Sequence, residues 1–163
     1  MFVRSVQPID GRFNGLAKLE LNRSINFTPK IHEINVPPSE FCDQYANLNV
    51  SNCGLLVAVY NASSKMLPAA VDRLLSARIS RSETCFPSDA IETHNIKCLE
   101  LEEEMPCQVL EWSSVSLKIG DLFYLVGVTM VNTTCGEDSV DKVKFVPFMD
   151  ICNVVSDQFM FSV

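Results

Sequence analysis

The clearest pattern of apolar and polar positions lies near the C-terminus. Leu122 to Val131 is an almost continuous apolar run, rich in aromatic and β-branched residues, which predicts a strand buried on both faces. After a polar stretch at 132–139, apolar and polar residues alternate from Lys142 to Ile151, the period of a half-buried strand. We therefore expect a hairpin here. One face of its second strand would carry Val143, Phe145, Pro147, Met149 and Ile151, and the opposite face Lys142, Lys144 and Asp150.

Shorter segments predict further strands upstream of this hairpin. Gly54 to Tyr60 is a compact apolar run typical of a central strand. Ile96 to Glu102 alternates with one change of phase, and Cys107 to Leu117 is a strand candidate that leads into the hairpin. Alternating apolar positions between Phe13 and Phe27 indicate some strand content near the N-terminus.

A single helix is predicted, over Met66 to Ser80. Apolar residues recur there at i, i+4, i+7 and i+8 from Leu67, the spacing of one helix face. Pro68 is compatible with the first helical turn. The patterns therefore predict a mainly β fold with one helix, which consists of a β-rich domain at 54–163 and an N-terminal extension with strands at 1–53. An α+β fold and a β-sandwich are the alternatives.

The charge balance favours protein partners. The chain has 13 basic and 20 acidic residues, a net charge of -7, whereas nucleic-acid binding draws its affinity from Lys and Arg. We expect direct nucleic-acid contact to be weak or absent. No apolar run approaches the roughly 20 residues of a membrane span, and the N-terminus has no continuous hydrophobic segment. These features predict an intracellular chain without a membrane anchor.

The cysteines and the glycosylation sequons favour different cellular compartments. The seven cysteines form no Cys-x-x-Cys pair, which argues against structural zinc, and we expect most of them to be reduced and buried. Five Asn-x-Ser/Thr sequons favour the alternative, a secreted or viral β-rich glycoprotein with partial disulfides. The sequons begin at Asn22, Asn26, Asn49, Asn61 and Asn132.

No pattern predicts catalysis. His32 and His94 lie in polar surroundings, and no nucleophile motif accompanies them. The six glycines are scattered, which excludes a dinucleotide or phosphate loop. The acidic residues from Glu100 to Glu104 are expected to be a solvated strand end, because a calcium loop also needs a turn glycine and regularly spaced oxygen ligands. We therefore predict no enzyme, no metal and no cofactor.

The C-terminal pattern resembles the last two strands of small OB-fold subunits of genome-maintenance complexes. These include the smallest subunit of the telomeric CST complex and the smaller RecQ-mediated genome instability subunit. The resemblance rests on Ile119-Gly-Asp-Leu-Phe-Tyr-Leu-Val-Gly127, followed by Val143-Lys-Phe-Val146. Two features depart from that pattern: the predicted helix follows the first barrel strand, and the N-terminal extension has no counterpart.

The resemblance implies that residues 54–163 form a small OB-like β-barrel. It also implies a non-enzymatic scaffold subunit, intracellular or nuclear, that binds a larger protein partner. Aromatic and basic residues interleave on one predicted face, where Phe148 joins Lys142 and Lys144, and Trp112 precedes the hairpin. Large aromatic side chains are frequent at the centre of protein interfaces. The predicted partner-binding residues are Trp112, Phe148, Lys142, Lys144, Phe159 and Phe161.

Overall fold

A computed structural model describes residues 2–8, 17–29, 34–43, 45, 53–60, 71–85, 95–130 and 141–152. The chain divides into two compact units, Met1–Glu33 and Ile34–Val163. The first contains strands β1 (Val3–Pro8) and β2 (Ala17–Leu21). The second contains the helices α1 (Ser39–Cys42) and α2 (Ser82–Cys85) and the strands β3 (Cys53–Tyr60), β4 (Val71–Ser80), β5 (Ile96–Pro106), β6 (Ser114–Ile119), β7 (Leu122–Thr129) and β8 (Lys142–Asp150).

The second unit is a closed six-stranded barrel in the order β3-β4-β5-β8-β7-β6. Two antiparallel meanders, β3-β4-β5 and β6-β7-β8, join through the β5–β8 and β3–β6 pairs, which are also antiparallel. The predicted small β-barrel with an N-terminal strand extension is confirmed. The barrel has one strand more than the five of an OB-fold.

The predicted C-terminal hairpin is confirmed. β7 pairs with β8 from Gly127 opposite Asp150 to Thr129 opposite Phe148. β6 and β7 are joined by the two residues Gly120 and Asp121, and Gly120 has a φ of 59°. That left-handed conformation suits glycine, which has no Cβ to clash with the carbonyl oxygen.

Among the described residues the core is mostly aliphatic, and Phe148 is its one phenylalanine. Phe148 is fully buried, and its ring lies against Gly127 of the neighbouring strand. A Cβ at Gly127 would collide with that ring and lie 2.8 Å from the carbonyl oxygen of Met149. The glycine inside the apolar run is therefore required by the packing of Phe148.

The predicted helix over Met66 to Ser80 is wrong where the structure describes it. Residues 71–80 form β4, which pairs with β3 and β5, and residues 66–70 lie outside the described residues. Leu75, Ala77 and Ile79 alternate toward the core, while Leu74 is half exposed. A short apolar segment can fit both the helical and the strand period, and here pairing on both sides selects the strand.

Two details of the predicted strands also need correction. Cys107 to Val109 is a 3₁₀ turn, so only the later part of the predicted 107–117 strand becomes β6. On β8, Val146 and Phe148 belong to the core, so Phe148 does not share an exposed face with Lys142 and Lys144. Val143 also packs against the core, so a single alternation does not describe the whole of β8. The change lies where the β5–β8 register shifts between Glu100 and Met105.

The expectation that most cysteines are reduced is wrong for all five cysteines whose bonding the structure describes. Cys42 is bonded to Cys152 across 110 residues, and Cys85 to Cys98 across 13. Cys107 is also disulfide-bonded. These bonds form in oxidising environments and are rare in the cytosol and the nucleus.

Candidate interaction surface at one end of the barrel

The turn before β6 has an unusual residue at its tip. The chain leaves β5 through the 3₁₀ turn and reverses at Leu110, Glu111 and Trp112. Trp112 has a φ of 55°, and it is the single positive-φ residue other than glycine in the described part of the chain. Its side chain is 54% exposed. A large aromatic residue is thus held in a left-handed conformation and presented to solvent.

The Trp112 turn is held by a buried hydroxyl from β7. Thr129 is fully buried, and its Oγ1 accepts a hydrogen bond of 2.8 Å from the backbone N–H of Ser113. The same hydroxyl donates to the carbonyl oxygen of Leu110. The Thr129 N–H donates in turn to the Ser113 carbonyl oxygen at 2.9 Å. One threonine therefore fixes the backbone on both sides of Trp112.

The left-handed backbone conformation of Trp112 costs free energy, which contacts elsewhere in the barrel must offset. For a residue with a Cβ it is unfavourable by about 1–2 kcal/mol, and it persists where surrounding contacts determine the backbone. An exposed indole forgoes the burial that usually stabilises a tryptophan. Both costs fall on Trp112, which makes it the strongest candidate for a functional residue in the barrel.

The structure brings only part of the predicted site together. Lys142 is exposed at the start of β8 and pairs with Pro106, next to the 3₁₀ turn that leads to Trp112. Lys144 is exposed on the outer barrel face, where its Nζ lies 3.7 Å from Glu100. Phe148 is in the core and cannot contact a partner. Phe159 and Phe161 lie outside the described residues.

The acidic residues of β5 are engaged in ion pairs and hydrogen bonds on the outer face of the barrel. Glu100 accepts from the Arg78 guanidinium at 2.7 Å, and Glu103 pairs with Arg73. Glu102 accepts from the backbone N–H of Ser76. An open groove of about 360 Å³ is lined by Arg78, Glu100 and Glu102, among other residues. The prediction of a strand end here is wrong, because β5 continues to Pro106. The surface ion pairs of these glutamates contribute little stability each.

Sequence reasoning missed a polar cluster at the opposite end of the barrel. The Tyr45 hydroxyl donates to Asp150 at 2.7 Å, and the Lys97 ammonium lies 2.5 Å from the same carboxylate. Lys97 also lies 4.7 Å from the centre of the Tyr45 ring. Tyr45 and Asp150 are 105 residues apart, so no local motif joins them.

The environment of Tyr45 keeps its hydroxyl protonated. Burial, followed by the Asp150 carboxylate and the hydrogen bond to it, raises the pKa of Tyr45 far above its ordinary value. A phenolate here would be desolvated and would face a like charge. The cluster therefore joins the segment before β3 to the end of β8, beside the Cys42–Cys152 bond.

Within the described residues, no group of three or more His, Cys, Asp and Glu side chains could hold a metal ion. None of the helices described has the length and apolar character of a membrane crossing. Two sequon residues, Asn22 and Asn26, are exposed, and Asn49, Asn61 and Asn132 lie outside the described residues.

No protein-family model matches this chain, and no curated protein is significantly similar to it. The relationship to the small OB-fold subunits therefore stays a prediction. The candidate site rests on the geometry of the Trp112 turn.

Proposed function

We propose that this chain is a non-enzymatic, protein-binding β-barrel that contacts a partner through Trp112 and matures in an oxidising compartment as a secreted or viral protein. The observation that carries the binding role is the exposed Trp112 at a φ of 55° on a turn fixed by Thr129. A rigid aromatic anchor loses little conformational entropy on binding, and tryptophan is the residue type most enriched at interface hot spots.

The location rests on the disulfides and the sequons. All five cysteines whose bonding the structure describes are disulfide-bonded, and a reducing compartment would oppose these bonds. Asn22 and Asn26 are exposed in sequons, which gives an oligosaccharyltransferase access to them. Both features belong to the secretory pathway.

The resemblance to small OB-fold subunits favours a second candidate, an intracellular scaffold subunit of a genome-maintenance complex. The closed barrel is the structural feature that agrees with it. In that compartment the same cysteines would be thiols, so the two candidates differ in a property that can be measured directly.

The first experiment measures the cysteines and sequons of protein taken from its natural source. Thiols are alkylated before lysis, and the protein is digested without reduction and analysed by mass spectrometry. We expect linked peptides joining Cys42 to Cys152 and Cys85 to Cys98, with glycans on Asn22 and Asn26. Fully alkylated cysteines and bare asparagines would contradict the secretory location and favour the intracellular subunit.

The second experiment tests the binding residue. Partner retention from the natural source is compared for the native chain, Trp112→Ala, Trp112→Gly and the exposed neighbour Glu111→Ala as the matched control. Loss of a hot-spot tryptophan costs about 2 kcal/mol or more, so we expect affinity to fall by about 30-fold or more in both Trp112 variants. Glu111→Ala should bind normally.

The stability of the Trp112→Gly variant distinguishes a binding role of Trp112 from a structural one. Glycine adopts positive φ freely, so its free energy of unfolding should equal that of the native chain or exceed it by about 1 kcal/mol. A partner that Trp112→Ala and Trp112→Gly both retain would show that the interface lies elsewhere.

A further inference from the structure

The Asp150 carboxylate and the Cys42–Cys152 bond join the same two segments of the chain. Tyr45 follows Cys42 closely, and Asp150 closely precedes Cys152. The Tyr45 hydroxyl donates to Asp150 at 2.7 Å, and the Lys97 ammonium lies 2.5 Å from the same carboxylate oxygen. A covalent link and a polar link therefore connect these segments side by side.

Asp150 also holds the backbone at Cys152. Its other carboxylate oxygen accepts a hydrogen bond of 3.1 Å from the Cys152 N–H. The Asp150 N–H donates to the carbonyl oxygen of Asn95 at 2.6 Å, and the Ile151 N–H donates to that of Val126 at 3.0 Å. None of these contacts involves a sulfur atom, so the barrel strands place Cys152 by hydrogen bonds alone.

Cys42 is held on its own side by contacts that also do not involve sulfur. Asn35 forms a parallel bridge with Tyr124 of β7, through two backbone hydrogen bonds of 3.1 and 3.0 Å. The ring of Phe41, the neighbour of Cys42, meets the Tyr124 ring edge-on, with 6.3 Å between the ring centres. The segment that carries Cys42 is therefore docked on the barrel by noncovalent contacts.

We propose that Asp150 is a positioning residue for the Cys42–Cys152 bond, which holds the two thiols of the reduced, folded barrel in place for each other. The two cysteines are 110 residues apart, so their encounter in an unfolded chain is entropically costly. A thiol pair that the fold already aligns loses little conformational freedom on bonding, which raises the equilibrium constant for the bond.

The oxidant in this step is a low-molecular-weight disulfide such as oxidised glutathione. One cysteine thiolate attacks it, forms a mixed disulfide and releases one glutathione thiolate. The second cysteine thiolate then attacks the mixed disulfide and releases the other glutathione thiolate. The products are one protein disulfide and two molecules of reduced glutathione.

Lys97 makes this positioning depend on the formed barrel. Lys97 lies opposite Phe148 in the β5–β8 pair, and its ammonium contacts Asp150 and lies 4.7 Å from the centre of the Tyr45 ring. The Asp150 side chain is only 12% exposed, so its charge needs this cation to be stable there. The complete arrangement forms only after β5 and β8 have paired, which places the bond late in folding.

The equilibrium constant of each disulfide against glutathione tests the proposal in the full chain. The chain is equilibrated without denaturant at a series of glutathione ratios, from the reduced and from the oxidised side. Alkylation and mass spectrometry then report the state of each cysteine. We expect Asp150→Ala to lower the constant for Cys42–Cys152 by about tenfold or more, because the aligned thiols lose hydrogen bonds to a charged group. The constant for Cys85–Cys98 in the same molecules should not change.

Glu100→Ala is the matched control for the loss of a carboxylate. Glu100 is also partly buried and is contacted by two cations, Arg78 at 2.7 Å and Lys144 at 3.7 Å. It should leave both constants unchanged. Asp150→Asn keeps an oxygen that can accept from the Cys152 N–H, so it should restore part of the constant that Asp150→Ala loses.

Hydrogen exchange in the fully reduced chain supplies a second measurement. We expect the Cys152 amide to exchange slowly in the reduced native chain and faster in reduced Asp150→Ala. Fast exchange in the reduced native chain overturns the proposal, because the bond itself would then hold the segment. An unchanged Cys42–Cys152 constant in Asp150→Ala also overturns it. Equal losses in both disulfides overturn it too, since Asp150 would then only stabilise the barrel as a whole.

Discussion

The two ends of the barrel hold their connecting segments by different means. At one end, which we call the clamped end, the Cys42–Cys152 and Cys85–Cys98 bonds and the Tyr45–Asp150 hydrogen bond tie flanking segments to β5 and β8. At the Trp112 end, a bonded Cys107 lies at the base of the turn, and the tip is held by hydrogen bonds to Thr129.

The two ends of the barrel also differ in which side chains they expose to solvent. The clamped end buries its tyrosine and its disulfide-bonded Cys42 and Cys152. The Trp112 end leaves its largest side chain in solvent. The disulfides at the clamped end lower the conformational entropy of the unfolded chain. The hydrogen bonds at the Trp112 end fix one local backbone conformation. The first arrangement suits stability, and the second suits recognition.

The largest expected effect comes from removing the disulfides of the clamped end. Cys42→Ser with Cys152→Ser opens a loop of 110 residues, and Cys85→Ser with Cys98→Ser opens one of 13. From loop-closure entropy we expect losses of about 4–5 and about 3 kcal/mol in the free energy of unfolding. Urea unfolding of both double variants measures this order. Equal losses, or the reverse order, would show that loop length does not determine how these bonds stabilise the barrel.

A smaller effect is expected from the hydroxyl behind Trp112. Thr129→Val keeps the shape of the side chain but removes the hydroxyl that binds both the Ser113 N–H and the Leu110 carbonyl oxygen, which leaves these two groups only their mutual hydrogen bond of 3.3 Å. We expect a loss of about 1–3 kcal/mol in unfolding free energy, together with faster amide exchange at Ser113. Thr129→Ser is the control, because it keeps the hydroxyl. If Thr129→Val leaves exchange at Ser113 unchanged, other contacts fix the turn.

The smallest expected effect is a change in how the free energy of unfolding depends on high pH when Tyr45 is replaced. Its pKa is raised in the folded chain above the value of about 10 in the unfolded chain. The folded state therefore binds the Tyr45 proton more tightly than the unfolded state does. This difference stabilises the folded chain fully below pH 10. The stabilisation is lost as the pH rises above that value, by up to about 1.4 kcal/mol in the free energy of unfolding per pH unit. Between about pH 10 and 11, where the unfolded tyrosine ionises, Tyr45→Phe should lose less stability than the native chain. Parallel pH profiles of the two proteins would contradict this assignment.

Sequence patterns predicted the parts of the fold that depend on local periodicity. The strand at β3, the strand at β5 and the β7–β8 hairpin each have a composition or alternation that few other structures fit. The 71–80 segment was mistaken for a helix because its apolar positions fit both periods, and only pairing with β3 and β5 separates them.

The sequence predicted only part of the candidate site, because several of its contacts join residues that are far apart in the chain. Trp112 could be singled out as a large aromatic residue in a polar stretch, but its positive φ depends on Thr129, 17 positions later. Phe148 was misplaced because the alternation along β8 changes phase between Val143 and Val146, both of which contact the core. Disulfide pairing cannot be deduced from cysteine positions alone, and neither can the contact of Tyr45 with Asp150.

The Cys42–Cys152 bond also sets an order of events during biosynthesis. Cys42 precedes every barrel strand in the chain, and Cys152 follows them all. The ribosome must therefore release the whole barrel sequence before this bond can form, whereas Cys85 meets Cys98 only 13 residues later. Cys42 therefore lacks this partner while the chain grows by 110 residues, and an oxidant that acts during that interval would join it to a different cysteine.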